Sequence, residues 1–230
     1  MILFYFSLVC FTVGLLAWSI GELLKSWQIA IGMSIFFALG TVGLCIRTFI
    51  AWRHFSLETP AFFVLMMMSV FCITGLLLHM ALMRTMILPV SSVIMVAVGI
   101  LEQKNGFDGL KGCISFTEPL YWWGNFSLSL LYIGLGIAGS ATLLGMICFW
   151  RRGKDLSEMH TSIREVTLKC PIIFSKLNWL VLFLLVMSIA SYMMYGRLVT
   201  GEYWQWQPLY AVAVAVALGF GIVKHLSIHH

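Results

Sequence analysis

Apolar residues fall in seven runs, at 2–20, 29–50, 60–80, 84–101, 124–150, 178–196 and 208–224, divided by short polar segments. Each run holds, or nearly holds, the roughly 20 residues that a helix rising about 1.5 Å per residue needs to cross about 30 Å of hydrocarbon. The fourth and seventh are the shortest. No strand-like alternation is sustained, and lipid admits only helices or closed barrels. The pattern predicts an all-α, polytopic transmembrane helical bundle of about seven spans, forming one domain over residues 1–230. The first run lacks a basic leader and a small-residue cleavage site, so it reads as a retained span and not as a signal peptide.

Composition supports that reading. The chain is 61% apolar and only 10% charged, with a mean hydropathy of +0.97, whereas soluble domains carry about 25% charged residues. An integral membrane protein follows, in contact with the lipid bilayer. Nucleic-acid binding has no support, because the net charge of +5 is first of all a topology signal. Loop 151–177 carries Arg151, Arg152, Lys154, Arg164, Lys169 and Lys176. The positive-inside rule places it in the cytoplasm. Counting spans from it puts the N-terminus outside and the C-terminus inside. Loops 51–59, 102–123 and 197–207 then face outward, with nine basic residues inside against five at the outer face. The same inner loop predicts an amphipathic surface helix around Leu156–Leu168, with Pro171 marking the approach to the sixth span.

The chemistry-bearing residues are few. The six cysteines show no C-x-x-C spacing, so a zinc site, a redox pair and covalent haem attachment are unsupported. Two aromatic clusters lie on the outer side. Tyr121-Trp122-Trp123 enters the fifth span, where Pro119 and Gly124 break helix periodicity. The other is Gly201-Glu202-Tyr203-Trp204-Gln205-Trp206-Gln207-Pro208, ahead of the last span. Two readings stand side by side: an interfacial belt at headgroup level, or two walls of a site for a large planar ligand.

Of six histidines, His160, His229 and His230 are assigned no role. His79 ends the third span and His225 the seventh, at matched depth near the inner face. A polar group in hydrocarbon is costly unless paired. Two such imidazoles on different helices can clamp one b-type haem non-covalently, or each can meet water and lipid phosphate at the interface. His54 lies in the outer loop 51–59, where it can approach and ligate the iron of a ligand resting on the Trp204/Trp206 loop. Arg53 and Arg197 can pair there with ligand carboxylates such as haem propionates, and they read equally as ordinary charges at span ends.

The stretch Gly201 to Pro208 resembles the tryptophan-rich external motif of the cytochrome c assembly family, haem-handling membrane proteins of the CcsA/ResC and CcmC type. The family pattern runs roughly G-x-Y-W-x-W-D-P, with a helix after it that ends in an L-H-L or L-H-T type triplet. Here that helix ends Lys224-His225-Leu226. Gly43-Leu44-Cys45-Ile46-Arg47 and the loop with His54 are similar to a further family helix end and loop. The resemblance implies haem contact for Gly201, Tyr203, Trp204, Trp206 and Pro208, and an iron-ligand role for His225 in the bilayer. It also implies partners: other membrane subunits of a maturation complex, and an apocytochrome or c-type cytochrome on the outer face of a bacterial inner membrane. Departures are specific. Gln207 replaces the motif's acid, Leu209-Tyr210 replace Lys-Glu, and no histidine stands near Asn125-Phe126-Ser127. The family's later helix and second external histidine have no counterpart in the 230 residues. The expectation is a haem-handling subunit of cytochrome c biogenesis, at most part of a haem-attachment system, with no catalytic constellation of its own. A haem b subunit passing electrons between quinones and c-type cytochromes is the second expectation, and a cofactor-free membrane scaffold the third.

Overall fold

The computed structural model describes residues 2–24, 27–54, 60–82, 87–105, 121–152 and 161–228. Among these residues the regular structure is entirely helical. The seven helices are α1 (Ile2–Leu24), α2 (Trp27–His54), α3 (Pro60–Leu82), α4 (Ile87–Asn105), α5 (Tyr121–Arg152), α6 (Thr161–Thr200) and α7 (Pro208–Ile228). Every apolar run became a helix, because in hydrocarbon a chain satisfies its backbone N–H and C=O groups only within itself. Six of the helices are long and apolar enough to cross a membrane. The apolar part of α4 covers only Ile87–Ile100, roughly 21 Å at helical rise, shorter than a full hydrocarbon layer. Six of the seven expected spans thus have helices of full crossing length among the described residues, and the helix of the fourth has a shorter apolar part.

Three boundaries differ from expectation. α6 starts at Thr161 and runs 40 residues with Pro171 inside it. From Thr161 onward the expected surface helix is therefore the first part of α6, while residues 153–160 lie outside the described residues. Proline deletes its own backbone hydrogen bond, but one missing bond does not end a helix whose apolar face is held by neighbours. Gly124 lies inside α5 and breaks nothing. α2 reaches His54, so this histidine closes a helix and does not sit in a loop. Residues 55–59, 83–86 and 106–120, with Pro119, Arg84 and Cys113, lie outside the described residues.

The helices pack in a chain of neighbours: α1 with α2 and α4, α2 with α3, α3 with α5, α5 with α6, and α6 with α7. α5 is central, with 61% of its apolar segment buried, and α7 is peripheral, with 11%. Glycines let α5 approach both partners closely. A Cβ on Gly134 would come within 2.9 Å of Leu185 on α6, and one on Gly136 within 2.8 Å of Val70 on α3. Hydroxyls then join helices where apolar contact alone gives no selectivity in lipid. Thr48 Oγ1 and Ser69 Oγ lie 2.7 Å apart between α2 and α3, and Ser140 Oγ donates to the Phe71 carbonyl at 3.1 Å. The outer surface is apolar: Leu23, Phe149, Phe183 and Leu218 are all exposed. Patches of that kind are stable against lipid and not against water.

Candidate functional site

The loop that joins α6 to α7 is held at several points. Gly201 follows the last residue of α6 with φ +80°, a left-handed conformation that glycine adopts without a Cβ penalty. Its N–H donates to the Arg197 carbonyl at 3.2 Å, a single backbone bond that caps the helix. Arg197 returns the contact, with Nη1 donating to the Gly201 carbonyl and its guanidinium 5.2 Å from the Tyr203 ring centroid. Further along, Tyr192 on α6 donates its hydroxyl to the Gln205 carbonyl at 2.9 Å. Pro208 opens α7, the position where its missing N–H costs nothing.

On this frame the aromatic side chains form a graded series from buried to exposed. Tyr192 stacks on Tyr210, with ring centroids 3.8 Å apart and planes 13° apart. Trp204 meets Tyr192 edge-on at 5.8 Å, and Trp206 meets Trp204 edge-on at 5.7 Å. Trp204 is half-buried, whereas Trp206 is 82% exposed. The two indoles are nearly perpendicular, at 86°, so they do not make one flat surface. A planar ligand here would lie on one indole face and meet the edge of the other.

Beneath them sits a polar knot that sequence reasoning missed. Ser127 on α5 donates to the Ser188 carbonyl at 2.8 Å, and Ser188 donates back to the Ser127 carbonyl at 2.8 Å. With its proton so used, Ser127 Oγ accepts from the Tyr210 hydroxyl at 2.5 Å. The knot ties α5, α6 and α7 together under the loop. Trp123, from the second aromatic cluster, stands one turn before Ser127 on α5 and meets Phe126 edge-on at 6.5 Å. Both clusters therefore lie at the same end of the α5–α6–α7 group. The side chains of Tyr121 and Trp122 lie outside the described residues.

The histidines are dispersed. His79 turns toward α2, with Nε2 3.1 Å from Ser34 Oγ, and its Nδ1 is buried with no hydrogen-bond partner. His225 is exposed in the last turn of α7, a helix that packs chiefly on α6. His54 and Arg53 end α2, and what their side chains meet lies outside the described residues. Among the described residues no three His, Cys, Asp or Glu side chains gather into a metal-holding group.

Below the knot, α7 stands off from α5 and leaves a cleft of about 710 Å³ between α3, α5, α6 and α7. Its wall includes Met67, Leu135, Gly139, Phe174, Val216 and Val223. Thr142 is its one polar lining residue, and that hydroxyl is already used on the Ala138 carbonyl at 2.8 Å. No histidine lines the cleft. His225 follows Val223 by two residues, roughly 200° around the helix, and so leaves α7 on the side away from the cleft. An iron held by His225 would lie against the outer side of α7. Pro208 and His225 are also roughly 26 Å apart along the helix axis, so the loop and His225 lie at opposite ends of α7.

Comparison with known proteins adds no relative: no family model, no curated protein and no solved structure matches this chain.

Proposed function

We propose that this chain is a haem-handling subunit of cytochrome c biogenesis in a bacterial inner membrane, offering non-covalently bound haem at the outer face on the loop 201–207. The observation that carries this reading is Trp206. It is a large indole left 82% exposed on a loop that Gly201, Arg197 and Tyr192 hold in place. A bare anchor at the headgroup layer needs an indole but not a fixed loop. A planar ligand gains from one, since less ordering entropy is lost on binding. Haem, when bound, supplies the iron and the vinyl groups that cysteine thiols of an apocytochrome take up. The chain's part is to hold and orient the ring, with Trp206 against its face and Trp204 at its edge. Arg197 keeps further N–H donors beyond the one it gives to Gly201, and these suit a propionate. His225 is the second attachment point, on the open side of α7, where a partner subunit completes the site.

A haem b subunit of an electron-transfer complex is the second reading. It is favoured by one observation: the buried, unpartnered Nδ1 of His79, the kind of nitrogen that a metal satisfies. Absorption spectra of protein purified from haem-supplied cells separate the two. The expected result is a reduced b-type spectrum that is lost or shifted in His225→Ala and retained in His79→Ala. Loss in His79→Ala as well selects the second reading, and haem-free wild-type protein contradicts both.

A further inference from the structure

The cleft below the serine–tyrosine knot has a chemistry of its own. It lies within the apolar segments of α3, α5, α6 and α7, and its side chains offer hydrocarbon apart from the Thr142 hydroxyl, whose proton is given to the Ala138 carbonyl. Along α7 it extends from Leu209 to Val223, roughly 21 Å at helical rise. It is long and narrow in proportion, and it is walled on one side by the least buried span. An empty gap there would forfeit the dispersion contacts that α7 needs to stay docked.

One end of the cleft is cationic. Val223 and Phe174 line it, and the residues next to them, Lys224 and Ser175, meet at 2.7 Å. The Lys224 ammonium also stands 5.6 Å from the Trp179 ring centroid. The Lys224 ammonium thus stands where the apolar channel reaches the end of its spans. Basic pockets between membrane helices attract anionic headgroups.

We propose that this cleft binds an anionic phospholipid, with one acyl tail along α7 and its phosphate at Lys224. The tail replaces the packing that α7 lacks against α5, and the headgroup fixes the direction of entry. The site is independent of the haem reading, since it uses neither the tryptophan loop nor a histidine.

The test uses the full chain in nanodiscs of equal phosphatidylcholine and phosphatidylglycerol, extracted in mild detergent. Co-purified lipid is then counted and classed by mass spectrometry. Wild type retains phosphatidylglycerol in excess of the input ratio. Gly219→Phe loses the retained lipid, because a Cβ at Gly219 meets no atom within 4 Å and the new ring fills the cleft without a clash. Val212→Trp fills it from the other end and gives the same loss. Lys224→Gln keeps a tail but lowers the preference for the anionic lipid about fivefold, the effect of one headgroup cation. Leu218→Phe, on the exposed side of α7, changes nothing. The proposal is overturned if wild type retains no lipid, if the two lipids come through in the input ratio, or if both cleft-filling variants retain as much as wild type.

Discussion

Gly136→Leu is expected to lower the melting temperature of the detergent-solubilised protein by about 6–12 °C, the shift that ~3 kcal/mol gives in a chain of this size. The reason is the α3–α5 seam. Even a bare Cβ at position 136 would lie 2.8 Å from the Val70 Cβ and 3.0 Å from the Met67 backbone oxygen. Backbone cannot rotate out of the way as a flexible side chain can. Leucine adds three further carbons, so the two helices must part. Overpacking of this kind costs about 1–3 kcal/mol. The parted seam also strains the Ser140 bond to the Phe71 carbonyl, worth about 1 kcal/mol. Gly32→Leu is the matched control: its Cβ meets open space, and its melting temperature stays close to wild type. Equal melting of the two variants would show that α3 and α5 are not in this contact.

Trp206→Ala is expected to cut the yield of mature c-type cytochrome in cells at least tenfold, with the membrane protein's abundance and melting unchanged. Removing one aromatic platform under a planar ring costs about 1–3 kcal/mol where it has been tested on nucleobases. A value of about 2 kcal/mol lowers occupancy roughly thirtyfold. The fold is insulated because the indole is 82% exposed. Trp204→Ala is a poorer test, since that ring is half-buried and packs on Tyr192, and its loss loosens the loop as well as the ligand contact. Normal maturation in Trp206→Ala would count heavily against the loop as a haem platform.

Much of the architecture was legible in the hydropathy pattern, because a helix in lipid needs little beyond length and apolarity. The boundaries that slipped share one cause. Pro171, Gly124 and His54 were expected at a break or in a loop, and each lies within a helix, since a local signal alone does not set where a long apolar helix ends. The knot of Ser127, Ser188 and Tyr210 was illegible for another reason. Its members are 61 and 83 residues apart from Ser127, and isolated serines in a span carry no signal of what they face. The cleft was hidden likewise, since Gly219 and Val223 read as ordinary span residues until α7 is seen standing off from α5. That His79 and His225 close their helices was readable, but not their directions: one turns to Ser34 and the other leaves the exposed side of α7.

If the loop 201–207 offers haem, Trp206 touches the porphyrin. Haem quenches the fluorescence of an indole that it contacts, and Trp206→Phe removes that one emitter among nine tryptophans. Titrating haem into wild type and Trp206→Phe in nanodiscs, and taking the difference, isolates the signal from position 206. A saturable quench of that difference signal at equimolar haem is the expected result. A difference signal that stays unchanged, or falls only in proportion to haem dissolved in the lipid, would contradict it.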